Sequence, residues 1–268
     1  MKKTFNAPDS QEREYTRLLL AYVRKLESDS NKLLIPNIGK IKREFEQEMR
    51  LDGWVETLDQ IIIQLSQLAL QSVGFIETRL VGQYEALSKF NNGQFKLVVK
   101  ANTGLDLPQV MPGAPKSVLL GVDVFRSEPF LKPLMDGWVK ENSSLIKSLP
   151  TKLHPDMEGI IRRGVMNGAS VKQLSSEIKK KYQSTEFRAR LIAQDQINKA
   201  NADLTRYRLQ SVGVKQFEWD TVGDSRVRPE HADLNGKVFS WDKPHPTEGL
   251  PGSRPRCRCR AAGIFPED

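Results

Sequence analysis

The chain contains very little cysteine: its 268 residues include two, Cys257 and Cys259. This pair excludes the disulfide framework of small secreted proteins, because a bridge between residues i and i+2 would close a strained ring. We therefore expect a reducing compartment. The N-terminus has no apolar run before Pro8, so the sequence predicts no signal peptide there.

Long apolar runs are missing as well. The most apolar stretch, IIIQLSQLAL at 61–70, is ten residues long and includes two glutamines. A membrane-spanning helix needs about 20 apolar residues. The sequence therefore predicts no membrane segment.

The usual sequence marks of catalysis are also missing. There is no glycine-rich phosphate loop, no serine or cysteine nucleophile with a positioned base, and no pair of carboxylates at helical spacing. One cluster, from Asp224 to His231, combines acids, arginines and a histidine, as a phosphodiesterase or nucleotide transferase would. Such a cluster is more often a salt-bridged turn, and we predict that the protein is not an enzyme.

Positive charge is in excess, with a formal net charge of +8. Four arginines lie within seven residues near the C-terminus: Arg254, Arg256, Arg258 and Arg260. A local excess of positive charge favours contact with nucleic acid or with an acidic protein surface. The alternative is a solvated basic tail.

The first part of the chain has a helical pattern from residue 9 to about 92. Asp9 or Ser10 is suited to cap the first helix, and Pro36 is expected to end or bend the helical segment beyond it. The segment from Val55 to Val73 places apolar residues three and four positions apart, as one face of a helix requires. Asn91, Asn92 and Gly93 are expected to close this stretch, which predicts a helical N-terminal region over 1–93.

The pattern changes between 94 and 136. Two short β-like runs, QFKLVVKA and SVLLGVDVF, flank a spacer that is rich in proline and glycine. We therefore predict an irregular or β-ribbon connection over 94–136.

Helical patterns resume over 137–212. Pro150 predicts a break, Ser170 with Gln173 predicts a capping box, and Gly213 predicts the C-cap of a long final helix. Its apolar stripe consists of Ala189, Ile192, Ala193, Ile197, Ala200, Leu204 and Tyr207.

The segment 213–268 predicts a small lobe of short strands and loops. It has few apolar residues, so burial alone would hold it together poorly. The fold class is therefore α+β and predominantly helical, with this small C-terminal lobe. Both cysteines and two of the three histidines lie in the lobe.

Those residues form the ligand set of a tetrahedral zinc site: His231, His245, Cys257 and Cys259. In an extended strand, Cys-x-Cys directs alternate side chains to opposite faces, so both thiols reach one ion only if the backbone turns there. We predict a structural zinc that stabilises the lobe. The alternative is a pair of small buried cysteines, with His231 bonded in a turn and His245 exposed.

The C-terminal segment resembles the signature of the Mu F-like minor head proteins, the head-morphogenesis family of tailed bacteriophages. The matching residues are Trp219, Asp224, Arg226, Val227, Arg228, His231, Leu234, Gly236 and Cys257-Arg258-Cys259. With the preceding helix RARLIAQDQINKANADLTRYR, the resemblance covers roughly 138–265. One departure is Gln194, where the family often has arginine, and the first 135 residues match none of its elements.

The resemblance implies a virion component made in the host cytoplasm that acts in head assembly. Its expected partners are the portal protein or the major capsid protein, with viral double-stranded DNA as a further contact and no membrane. The resemblance also implies that His231 and the Cys-x-Cys act as a set, with His245, Asp224 or Asp233 as the fourth ligand. The alternatives are a nucleic-acid-binding module and a nuclease- or transferase-like domain carried by a phage.

Overall fold

The structure is a computed structural model that describes residues 3–48, 53–106 and 128–266. Its helices are α1 (Asp9–Leu33), α2 (Ile38–Glu48), α3 (Gly53–Thr103), α4 (Leu131–Met166), α5 (Val171–Ser211) and the short α6 (Pro229–Ala232). Its strands are β1 (Gln216–Asp220), β2 (Val238–Ser240) and β3 (Arg260–Ile264). The predicted helix-dominant α+β class is confirmed. None of the described helices is long and apolar enough to cross a membrane.

Several of the predicted helix signals are confirmed. A single 3₁₀ turn, Ile35–Asn37, contains Pro36 and separates α1 from α2. At the start of α5, the Gln173 N–H donates to Ser170 Oγ (3.2 Å), and the Ser170 N–H donates to Gln173 Oε1 (2.8 Å). These two bonds are the reciprocal pair of a capping box. Gly213 follows α5 at φ 80°, as expected of a C-cap glycine.

The predicted end of the third helix at Asn91-Asn92-Gly93 is wrong, because α3 continues to Thr103. Asn91 is buried, and its amide donates to Asn201 Oδ1 (3.0 Å) and Thr205 Oγ1 (2.9 Å). Its side chain is therefore occupied by tertiary bonds and does not cap the helix.

The predicted β-ribbon is also wrong over the residues that the structure describes. QFKLVVKA is helical, and it buries Phe95, Val98 and Val99 at helical spacing. Because these three side chains join a hydrophobic core, tertiary packing overrides the β propensity of the two valines. The second run, SVLLGVDVF, lies outside the described residues.

The predicted break at Pro150 is wrong as well. Helix α4 begins at Leu131 rather than 137 and passes through both Pro150 and Pro155. A proline inside a helix costs about 3 kcal/mol. Burial of Ile146, Leu149 and Leu153 offsets this cost, because each such side chain contributes roughly 1.5–3 kcal/mol.

The chain forms two compact units. The second unit comprises Thr16–Leu80 and Glu141–Ile192 and is helical. In its interior, the Tyr182 hydroxyl donates to the Leu26 carbonyl (3.2 Å), and buried His154 is bonded through Nδ1 to Ser66 Oγ (2.9 Å).

The first unit comprises Met1–Tyr15, Val81–Lys140 and Ala193–Asp268 and contains the sheet. The strand order is β2-β1-β3 and both pairings are antiparallel, with Phe217 opposite Phe239 and Trp219 opposite Ala261. The core around the sheet includes Phe5, Phe95, Val98, Val99, Leu209, Val212, Val214, Phe217, Trp219, Leu234, Trp241, Cys257, Cys259 and Ala261. The lobe therefore obtains part of its core from the N-terminal segment and from the end of α3.

A buried polar network also lies in this unit. The Arg208 side chain is fully buried and donates two bonds to Glu128, from Nε to Oε1 (2.9 Å) and from Nη2 to Oε2 (2.7 Å). It also donates to the Ser88 carbonyl (2.9 Å) and to Asn91 Oδ1 (2.7 Å). The carboxylate and these oxygens compensate for the burial of the guanidinium charge.

Candidate metal centre

Three of the four predicted ligands lie together. The ligand atoms of His231, Cys257 and Cys259 are all within 4.8 Å of one another, and the three residues are buried. His231 Nδ1 lies 3.5 Å from Cys257 Sγ and 3.4 Å from Cys259 Sγ. Two thiols therefore face one imidazole nitrogen.

The backbone turns sharply just before Cys257. Arg256 has φ 60°, which is the left-handed region, and its N–H donates to Asp195 Oδ1. Beyond this turn, the thiols of Cys257 and Cys259 both lie within reach of the same imidazole. The Gly252 N–H also donates to Cys257 Sγ (3.4 Å).

His231 is fixed from its other side. It lies on α6, which begins with Pro229, and its Nε2 bonds to Glu248 Oε2 at 2.9 Å. Because a carboxylate accepts the Nε2–H bond, the neutral tautomer leaves Nδ1 unprotonated and directed at the sulfurs. A carboxylate bonded to the distal nitrogen is the usual support of a metal-ligating histidine. The buried Trp219 ring packs edge-on against the imidazole, with 5.3 Å between ring centroids.

A hydrogen bond couples the two thiols. A hydrogen bond from the Cys259 side chain lowers the pKa of Cys257 to about 5, against the opposing effect of burial. The same bond raises the pKa of Cys259. Two cysteine sulfurs beside an imidazole nitrogen are a donor set suited to a soft or borderline metal ion.

The spacing of these donors fits zinc. Zn–S bonds near 2.3 Å and Zn–N bonds near 2.0 Å in a tetrahedron put sulfur and nitrogen about 3.5 Å apart. The two S···N distances, 3.5 and 3.4 Å, agree with that separation.

The structure does not bring His245 into the cluster. Its Nδ1 accepts a bond from the Glu248 N–H (3.2 Å), and its ring packs against Phe239. In this position it holds the loop that carries Glu248. Asp233 is exposed, and Asp224 accepts two bonds from Arg258 (2.6 and 2.7 Å), so neither aspartate lies among the clustered donors.

The remaining signature residues connect the segments around the cluster. Arg228 Nη2 donates to the Pro255 carbonyl (2.6 Å), which ties α6 to the loop before Cys257. Gly236 has φ 79°, and its N–H donates to the Trp219 carbonyl (2.8 Å).

The four C-terminal arginines differ in their surroundings. Arg254 bonds the Thr247 carbonyl, and Arg260 bonds the Phe5 carbonyl (3.0 Å) and lies near Asp220. With Arg258 on Asp224, three of the four have internal partners. The Arg256 guanidinium has none among the described residues and is exposed.

Sequence reasoning did not identify Glu248 or Asp195 as part of this site. Glu248 lies in the loop KPHPTEGLPG, and Asp195 lies on α5, 61 residues before Arg256. Glu248 belongs to no recognisable motif. Asp195 lies within the helix that resembles the family's, but nothing in the sequence relates it to Arg256, so only the folded chain brings both residues to the cluster.

Comparison with known proteins supports the resemblance. Residues 156–262 match the family model described as Phage Mu protein F like protein. An uncharacterised protein of Haemophilus influenzae is 30% identical over 169 residues, which cover 63% of this chain and 35% of that protein. The chain thus spans about a third of the length of this curated relative. No solved structure matches the chain.

Proposed function

We propose that the protein is a minor head protein of a tailed bacteriophage and acts in head morphogenesis. The observation that carries this proposal is the family match over 156–262, which includes the signature residues around the candidate metal centre. Within that match, Trp219, Arg228, His231 and Gly236 support one another through packing and backbone bonds. A match over residues that together build one site is more specific evidence of family membership than the same number of identical residues scattered along the chain.

The proposed role is structural and not enzymatic. His231 is directed at two cysteines and Glu248, so both of its ring nitrogens have partners within the lobe. This arrangement favours a stabilising role for the histidine over general acid–base chemistry. Residues 137–268 would form the family domain, and the helices of 1–93 would contribute the contact with the portal or capsid of a particular virus.

Mass spectrometry of purified phage particles tests the proposal. We expect the chain in mature heads at far fewer copies than the major capsid protein, and we expect its loss to reduce the yield of filled heads. Its absence from both mature particles and assembly intermediates would contradict the proposal.

We further propose that the centre holds one structural zinc, with His231, Cys257 and Cys259 as protein ligands. Zinc would cross-link α6 to the segment before β3, and thereby hold the chain end against β1. Glu248 would orient the imidazole. Metal analysis of the protein purified without chelators tests this assignment.

A further inference from the structure

A cavity of about 300 Å³ opens beside the candidate metal centre. Its lining includes four arginines, Arg226, Arg228, Arg256 and Arg258, together with all three clustered donors. No acidic side chain lines it in the part of the chain that the structure describes. The lining of the cavity is therefore rich in positively charged side chains.

Most of the arginine side chains that line the cavity have N–H groups free to bind an anion. Arg258 is neutralised by Asp224, which also lies 3.5 Å from Arg226 Nη2. The Arg226 side chain is 72% exposed, and Arg228 uses one N–H for the Pro255 carbonyl. The guanidinium of Arg256 has no partner among the described residues. Three guanidinium groups therefore have donors left for an anion.

Arg256 is held in a conformation that arginine rarely adopts. Its φ of 60° suits glycine or asparagine, and a larger side chain there is strained. Strain of this kind persists where the surrounding structure fixes it, and it occurs often at binding sites. Here the Asp195 carboxylate fixes the Arg256 N–H, and the Arg256 side chain lines the cavity.

We propose that this cavity binds the phosphate end group of a nucleotide or of a nucleic-acid strand. A terminal phosphate carries a charge of about −2 and several acceptor oxygens, which match several guanidinium forks better than a single carboxylate does. The volume is at the lower end of the range for small-ligand sites. A recess of this size suits an end group, whereas the backbone of a duplex runs along an open surface.

This inference does not rest on the proposed head function, and the arginines that carry it are not among the proposed zinc ligands. The arginines line the cavity whether or not the chain is found in particles. A failure of phosphate binding would leave the particle analysis and the metal analysis unaffected, and the reverse also holds.

The test is calorimetric titration of the full chain at constant ionic strength. The probes are inorganic phosphate, a nucleoside 5′-monophosphate, and one oligonucleotide with and without a 5′-phosphate. We expect the phosphorylated oligonucleotide to bind more tightly than its unphosphorylated counterpart. Binding of the mononucleotide as well would identify a nucleotide site, whereas binding of the oligonucleotide alone would identify a strand end.

Arg256→Gly provides the decisive variant. Glycine accepts the positive φ, so the melting temperature of the variant should stay the same or rise. Phosphate affinity should fall about tenfold or more, because the charge-assisted hydrogen bonds of the guanidinium are lost. Arg13→Ala removes an exposed arginine of the same unit and should leave affinity unchanged. Equal binding by Arg256→Gly and wild type, no preference for the phosphorylated strand, or tighter binding of an acidic peptide than of any phosphate probe would overturn the proposal.

Discussion

Glu248 accepts a 2.9 Å hydrogen bond from Nε2 of His231, and this bond determines which imidazole nitrogen faces the cysteines. Glu248→Gln replaces the charged acceptor with a neutral amide. We expect zinc affinity to fall about 10- to 100-fold, as for other carboxylate supports of ligating histidines. Competition titration against a chromophoric chelator measures the change. Glu230→Gln, at an exposed position of α6, is the matched control, and equal affinities for the two variants would contradict this role.

Cys257→Ser and Cys259→Ser each remove one of the proposed ligands. We expect each variant to lose most of its zinc and to show faster amide hydrogen exchange over 213–266, with little change in the second unit. The reason is that a structural zinc contributes folding free energy directly, on the order of 10 kcal/mol in isolated fingers. A wild-type protein without zinc, or a variant that keeps its full metal content and exchange protection, would refute the assignment.

Asparagine variants of His231 and His245 show which of the two histidines in the lobe binds zinc. Because His245 bonds to its own loop and packs on Phe239, we expect His245→Asn to keep its zinc, whereas His231→Asn should lose it. Metal content by mass spectrometry checks both variants. Loss of zinc from His245→Asn as well would restore His245 to the ligand set that the sequence predicts.

Sequence patterns predicted the residues of the donor cluster better than they predicted the secondary structure around it. The residue types and the His–Cys-x-Cys set already indicate His231, Cys257 and Cys259, because few side chains bind zinc. The prediction of His245 as a ligand had no basis in spacing. A loop rich in proline and glycine follows no periodicity, so its path, and hence its contacts, appear only in the fold.

The helix errors share one physical cause. Asn91, Asn92, Gly93 and Pro150 are helix-ending residues by local preference, yet α3 and α4 pass through them. Local preferences are worth about 1–3 kcal/mol per residue, and burial of neighbouring side chains has the same magnitude. At Phe95 and Leu149 the tertiary contacts dominate, so local sequence preference alone does not predict where the helix ends.

The stability of the second unit is expected to depend on pH through His154. Burial lowers the pKa of His154 from 6.5 to about 4. Between these values the unfolded chain binds the proton more readily than the folded chain, so the free energy of unfolding should fall as the pH drops from 6.5 towards 4. Because each pKa unit corresponds to 1.36 kcal/mol, the shift of His154 lowers the free energy of unfolding by about 3 kcal/mol in total. Urea unfolding at several pH values measures it, and His154→Asn should flatten the profile. An identical profile in that variant would rule out His154 as the source.

Phe5 contributes to the core of a lobe that lies more than 200 residues later in the chain. It is 2% exposed, packs in the same cluster as Trp219 and Cys259, and its carbonyl accepts a bond from Arg260. The lobe has few apolar residues of its own, so Phe5 and the end of α3 complete its core. Truncation of a buried phenylalanine costs about 3–5 kcal/mol.

Phe5→Ala should therefore destabilise the first unit by about that amount and increase the protease sensitivity of 213–266. The matched control is Phe187→Ala, because Phe187 on α5 is 58% exposed and its removal should cost little. Deletion of 1–92 should be more damaging still, since it removes Phe5 together with Ser88 and Asn91, which accept bonds from buried Arg208. If that truncated chain folded and resisted protease as the full chain does, the residues after 92 would suffice for the lobe, and the proposed contribution of the N-terminal segment would be wrong.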